Sequence, residues 1–164
     1  MVLILMGVSG CGKTTVGKHL SKALQMPFYD ADDFHPPENV EKMSKGTPLD
    51  DEDRQPWLEQ LHQMIIKWNR KDGAILACSA LKKPYRQTLR GDLDKNELQF
   101  IYLKGSAELI RERLKNREGH YMPAGLLNSQ FRDLEEPSDV LTVGIDRPVQ
   151  DIVSRIFDKL DEKT

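Results

Sequence analysis

The octet Gly7-Val8-Ser9-Gly10-Cys11-Gly12-Lys13-Thr14 constrains this chain more than any other stretch. It satisfies the spacing G-x-x-x-x-G-K-[ST]. Before it runs Val2-Leu3-Ile4-Leu5-Met6, a continuous apolar run of the kind that forms a parallel strand buried on both faces. After it, Val16, Leu20, Ala23 and Leu24 recur with helical period through about Gln25. Strand, glycine-rich loop and helix in that order make a phosphate cradle. Gly7 and Gly12 let the backbone wrap so that the N–H groups of Val8, Ser9, Gly10 and Cys11 face one concavity, and the helix adds its positive end. Lys13 is expected to supply a point charge to the β- and γ-phosphates, and the Thr14 hydroxyl to ligate Mg²⁺.

The rest of the chain repeats the alternation. Phe28-Tyr29, Ala74 to Cys78, Phe100 to Leu103 and Val140 to Val143 read as strands. Helices are expected from Pro36-Pro37, from Asp50 through Trp68, near Pro84 to Leu89, from Ala107 to Asn116 and from Val149 to Leu160. This implies α/β architecture, a five-stranded parallel sheet sandwiched by helices. The 164 residues fit one domain, 1–164. With 24 Lys and Arg against 26 Asp and Glu, the net charge of −2 excludes bulk basicity as a route to nucleic acid or an anionic membrane. No apolar run approaches a membrane span, and Cys11 and Cys78 are too few for a disulfide scaffold, so a cytoplasmic protein is expected. Trp57 and Trp68, on the stripe Trp57, Leu58, Leu61, Met64, Ile65 and Trp68, are expected in the core.

Neither D-x-x-G nor N-K-x-D occurs, which argues against a GTPase, and the third strand ends without an acidic residue. The carboxylates for metal and acceptor are then sought at Asp30 and Asp32, two apart at the end of the second strand and so expected on one face. One would serve the Mg²⁺ shell and the other the acceptor hydroxyl. Arg113 and Arg117 share a helical face ahead of a Gly/Pro-containing stretch, residues 117–125, which reads as a lid carrying arginine to the phosphoryl group. A small-molecule kinase and a non-catalytic ATP-binding sensor are both compatible with these features.

Longer strings narrow the choice. Phe28-Tyr29-Asp30-Ala31-Asp32-Asp33-Phe34-His35-Pro36, Met43, Gly46, Pro48-Leu49 and Asp51-Glu52-Asp53-Arg54 resemble gluconokinase, as do Cys78-Ser79-Ala80-Leu81-Lys82, Gly119-His120-Tyr121-Met122-Pro123 and Leu134-Glu135-Glu136-Pro137. The resemblance runs from about residue 3 to 147, with Cys11 and Thr14 where that family carries serines. It implies the P-loop fold of the nucleoside-monophosphate-kinase type, with a substrate-binding helical segment over about 34–70 and a mobile lid over about 117–135. It implies ATP-dependent phosphorylation of D-gluconate at its terminal hydroxyl to 6-phosphogluconate, feeding carbohydrate acid degradation. ATP, Mg²⁺ and D-gluconate are the expected ligands, and a homodimer is left open.

A sugar acid offers a carboxylate and a row of hydroxyls, so its site calls for fixed cations and a few acceptors. The expected substrate-binding set is Asp32, His35, Arg54, Lys82, Arg86 and His120. Asp32 is expected to take the hydroxyl proton, Asp30 and Thr14 to serve the metal, and Lys13, Arg117 and Arg113 to neutralise the phosphates. Arg113 is alternatively a stacking partner for adenine, and Arg147 an adenine-edge contact. Cys11, in a nest of N–H donors, is a candidate reactive thiol with Cys78 as its partner, and the alternative is two inert small hydrophobes.

Overall fold

The computed structural model describes residues 1–116 and 124–162. The run Val2–Met6 forms β1, and none of its five side chains is exposed. Around it β2 (Phe28–Asp30), β3 (Ala74–Ala77), β4 (Leu98–Lys104) and β5 (Leu141–Gly144) complete a parallel sheet in the order β2-β3-β1-β4-β5. β1 is therefore central, pairing Val2 with Ala74 on one side and with Leu98 on the other.

Strand alternation divides the core in two. Val2, Ile4 and Met6 face α3 (Asp51–Asn69) and α4 (Lys83–Arg90), packing with Leu58, Leu61, Ile65 and Leu89. Leu3 and Leu5 face the opposite layer, built from α1 (Lys13–Leu24), α5 (Ala107–Lys115), α6 (Ala124–Asp133) and α7 (Val149–Asp161), and pack with Val16, Leu20, Ile110, Leu127 and Ile152. This is the expected three-layer sandwich.

Local chemistry sets the element ends. α2 (Pro37–Ser44) starts at a proline, whose missing N–H is harmless in a first turn. α3 is capped by a box in which Asp50 accepts from the Asp53 N–H at 2.7 Å and Asp53 accepts from the Asp50 N–H at 3.0 Å. Both tryptophans of α3 are buried as expected. Trp68 stacks on Tyr29 with ring centroids 4.3 Å apart, and the Trp57 indole donates to the Ala31 carbonyl at 2.8 Å.

Two features depart from the sequence reading. Ala31–Phe34 is a 3-10 turn, so Asp32 does not lie on a strand. The two aspartates are neighbours because Asp30 caps that turn, its carboxylate accepting the Asp32 N–H at 3.0 Å, and not because of strand period. The helix α6 was not anticipated within the expected lid. Among the described residues no helix is long and apolar enough to cross a membrane.

Candidate active site

The carboxyl ends of β1, β2 and β3 open onto one cleft, the edge where open α/β sheets bind ligands. At the end of β1 the loop from Gly7 to Gly12 turns into α1. Gly7 has φ +148°, and a Cβ there would sit 2.9 Å from the Leu103 carbonyl oxygen. Gly12, at the N-terminus of α1, has φ +97°, the left-handed region that favours glycine. Lys13 arches back over the loop it follows, donating to the carbonyls of Gly7 at 2.9 Å and Val8 at 3.0 Å. Ser9 meets a residue that sequence reasoning did not find. Its N–H donates to the Gln130 side-chain oxygen at 2.7 Å, and the Gln130 amide donates back to the Ser9 hydroxyl at 2.9 Å.

Across the cleft stands Asp32, its side chain 83% exposed at the mouth. Its pKa is raised above the ordinary carboxylate value, first by the protein walls that displace water around it and next by the charge of Asp30. His35 and Lys13 oppose that rise. Because the side chain is so exposed, the walls act on it as an open cleft and not as an enclosed pocket.

His35 is nearly enclosed, its side chain 4% exposed and stacked on Trp57 with ring centroids 4.2 Å apart. Burial lowers its pKa, and Arg54 adds to the lowering while Asp32 works against it. The ring is therefore neutral near pH 7, and the 3.7 Å approach of Nε2 to the Asp32 carboxylate is a dipole against a charge.

A second cluster flanks the cleft where α3 meets α4. Arg54 donates to the Tyr85 hydroxyl at 3.1 Å, Tyr85 donates to the Asp51 carboxylate, and Lys82 reaches the same Asp51 oxygen at 3.2 Å. Tyr85 and Lys82 hold the Asp51 pKa below the carboxylate range. Arg54 and Lys82 were expected from sequence. Tyr85 was not, because it stands in no pattern that signals ligand binding, and Asp51 entered only as part of the string Asp51-Glu52-Asp53-Arg54, without a role of its own.

Arg86, expected to meet the sugar acid, is committed elsewhere. It is buried, and its guanidinium donates to the carbonyls of Ala80 at 2.7 Å, Leu81 at 3.1 Å and Glu135 at 2.8 Å. It ties the end of β3 to the segment after α6, and Ala80 is there held at φ +46°. Arg113 donates to the Ile145 carbonyl at the end of β5, and Arg147, beside it, has a buried Nε that finds no hydrogen-bond partner among the described residues. Arg117 and His120 lie outside the described residues. Cys11 and Cys78 are both buried, and burial pushes the Cys78 thiol up to about 12, so Cys78 is not poised for thiolate chemistry.

Among the described residues no group of three or more His, Cys, Asp or Glu gathers as a metal cage. The Thr14 hydroxyl and the Asp30 carboxylate nevertheless suit Mg²⁺, which takes one or two protein oxygens and fills its octahedron with phosphate oxygens and water.

A parallel sheet with a phosphate loop after its central strand, and carboxylates in the turn that follows β2, defines a P-loop small-molecule kinase. The family model for shikimate kinase matches residues 9–136. The chain is 45% identical to a probable gluconokinase of Xenopus tropicalis over 99% of this chain and 95% of that one. It is 43% identical to the thermoresistant gluconokinase of Escherichia coli (strain K12), over 93% and 89% respectively. The crystal structure of a gluconokinase from Sinorhizobium meliloti 1021 superposes with a TM-score of 0.84 at 36% identity, covering 99% of this chain and 97% of that one. The chain belongs to the shikimate kinase family as that model defines it and, within it, to the gluconokinases.

Proposed function

We propose that this protein transfers the γ-phosphoryl group of ATP to the terminal hydroxyl of D-gluconate, giving ADP and 6-phosphogluconate. The observation that carries this reading is the phosphate loop after the central strand with Lys13 folded back over it, together with a group of two cations and a tyrosine between α3 and α4. The donor side needs fixed N–H groups and a lysine for phosphate, which the loop from Gly7 to Thr14 supplies. Lys13 exchanges its two backbone carbonyls for phosphate oxygens when the nucleotide enters. Arg113 and Arg147 stand at the end of β5, within reach of the purine that such a loop would present.

On the acceptor side, Arg54, Lys82 and the Tyr85 hydroxyl offer the sugar acid's carboxylate and hydroxyls a set of donors. Arg86 holds the β3 end in shape and contacts no substrate in this reading. The transfer is in line. The acceptor oxygen forms a bond to the γ-phosphorus, the bond from that phosphorus to the β,γ-bridging oxygen breaks, and the acceptor proton passes to Asp32. The raised pKa of Asp32 suits a group that must take a proton and release it again. Thr14 and Asp30 would hold Mg²⁺, which when bound neutralises phosphate charge. Arg117 is expected to add charge during the transfer, as the sequence reading proposes. These roles suit a cytoplasmic enzyme acting on soluble ligands.

An ADP-release assay on the purified chain with MgATP and, in turn, D-gluconate, shikimate, AMP and CMP tests the reading. Turnover with gluconate far above the others is expected. Turnover with shikimate or a nucleoside monophosphate in its place would overturn the substrate assignment, and tight ATP binding without any turnover would overturn the reaction.

A further inference from the structure

Among the described residues the polar or charged residues buried as a whole include Asn39 and Arg86. Arg86 has a structural explanation, and Asn39, 3% exposed on α2, has a different one. Its amide nitrogen donates to the Asp53 carbonyl on α3 at 2.9 Å and faces His35 Nδ1 at 3.2 Å. A carbonyl oxygen can only accept, so the Asp53 contact fixes which end of the Asn39 amide is nitrogen. The second amide proton is then aimed at His35, and Nδ1 must be the unprotonated nitrogen that accepts it. A neutral imidazole with Nδ1 bare carries its proton on Nε2, the nitrogen 3.7 Å from the Asp32 carboxylate.

We propose that Asn39 is a positioning residue that sets the tautomer of His35, so that Nε2–H faces Asp32 and never presents a lone pair to it. The inference rests on the reading of Asp32 as proton acceptor. The charged groups facing the His35 ring are Asp32 from the 3-10 turn and Arg54 from α3, while the Trp57 face covers it. With Nε2–H toward one carboxylate oxygen, the orientation of the carboxylate is biased and its other oxygen is left for the substrate hydroxyl. In the opposite tautomer the Nε2 lone pair would repel that carboxylate, and Nδ1–H would meet the Asn39 N–H head on. Protonation of His35 creates the same Nδ1–H conflict, so Asn39 also holds the ring neutral, in the direction in which burial already pushes it.

The test is nitrogen-15 NMR of the His35 ring in the full chain, on the wild type and on Asn39→Asp, which keeps the side-chain shape but replaces the donor facing Nδ1 with an acceptor. The wild type should show a neutral ring protonated on Nε2. Asn39→Asp should move the proton to Nδ1 or protonate both nitrogens, and kcat should fall about tenfold or more while the KM for ATP stays within about twofold. A wild-type ring protonated on Nδ1 overturns the proposal outright, and that measurement stands even if the variant fails to fold. A variant whose tautomer moves while kcat holds also overturns it, as does a variant whose ring stays protonated on Nε2. The tautomer readout does not depend on which acceptor is phosphorylated, so a wrong substrate would show in the ADP panel and a wrong tautomer in the spectrum.

Discussion

Gln130 and Ser9 close a two-bond ring, the Ser9 N–H donating to the glutamine oxygen and the glutamine amide donating to the Ser9 hydroxyl. The Ser9 N–H is one of the groups the phosphate loop would offer to a nucleotide, so α6 holds in the free protein what a phosphate oxygen must claim. Gln130→Ala should therefore tighten binding of a non-hydrolysable ATP analogue. A net hydrogen bond is worth about 1 kcal/mol, so the gain is on the order of fivefold. Isothermal titration reads it directly, and weaker binding would mean that Gln130 moves with the nucleotide and helps to retain it.

Asp32→Asn removes the proton acceptor while keeping the size of the side chain. Turnover should drop by about a hundredfold or more, from the lower end of the range for general-base catalysis upward. The affinity for MgATP should change little, because the loop from Gly7 to Thr14 is untouched. Pre-steady-state transfer and equilibrium nucleotide binding, measured on the same preparation, separate the two effects. Undiminished turnover would remove Asp32 from the mechanism.

Arg86→Met should act on stability. Three backbone carbonyls would lose their donor, and Ala80 would lose the contacts that hold its positive φ. Charged hydrogen bonds of this kind suggest a loss of about 3 kcal/mol or more, visible in urea unfolding. If Arg86 instead met the substrate, the variant would raise the KM for gluconate at normal stability.

The low pKa of His35 has a consequence for stability against pH. Unfolded, this histidine titrates near 6.5, and folded it titrates lower. Between those two values the unfolded chain binds more protons, so its contribution to stability is present above pH 6.5 and is lost as pH falls through the folded value. Replacing the ring by His35→Gln should flatten the fall of Tm below pH 6.5 relative to wild type. Parallel slopes for the two proteins would show that His35 is not buried neutral.

The donor half of the site was legible because it is local. Eight consecutive residues between a strand and a helix make a cradle whose geometry is set by glycine backbone freedom and a helix end, and the structure has that strand, loop and helix. The acceptor half is assembled from distant segments, and spacing gave only part of it. Arg54 is named from its place in a resemblance string and Lys82 as a cation just after the third strand, whereas Tyr85 and Asp51, which join them, come from separate helices and carry no period of their own. Asp30 and Asp32 were paired for the wrong reason. A capped 3-10 turn, and not strand alternation, makes them neighbours, since the chain leaves the sheet at Asp30. Arg86 shows the limit of spacing, because a cation near a ligand edge looks the same in sequence whether it faces a substrate or, as in this structure, three carbonyls. Asn39 and Gln130 gave no signal at all, because each acts through a partner that only folding brings near.

The sheet order β2-β3-β1-β4-β5 makes β1 a seam. The strands to one side of it, with α2, α3 and α4, carry Asp32, His35, Arg54, Lys82 and Tyr85. To the other side Arg113 reaches from α5 to the Ile145 carbonyl just past β5, with Arg147 two residues further on, and the loop following β1 belongs to both sides. Mutational drift on the acceptor flank can therefore rewrite which hydroxyl compound is recognised without disturbing the inherited machinery for handling a nucleotide. In such a scaffold, diversification of diet is a matter of one flank, and the other can stay conservative while it happens.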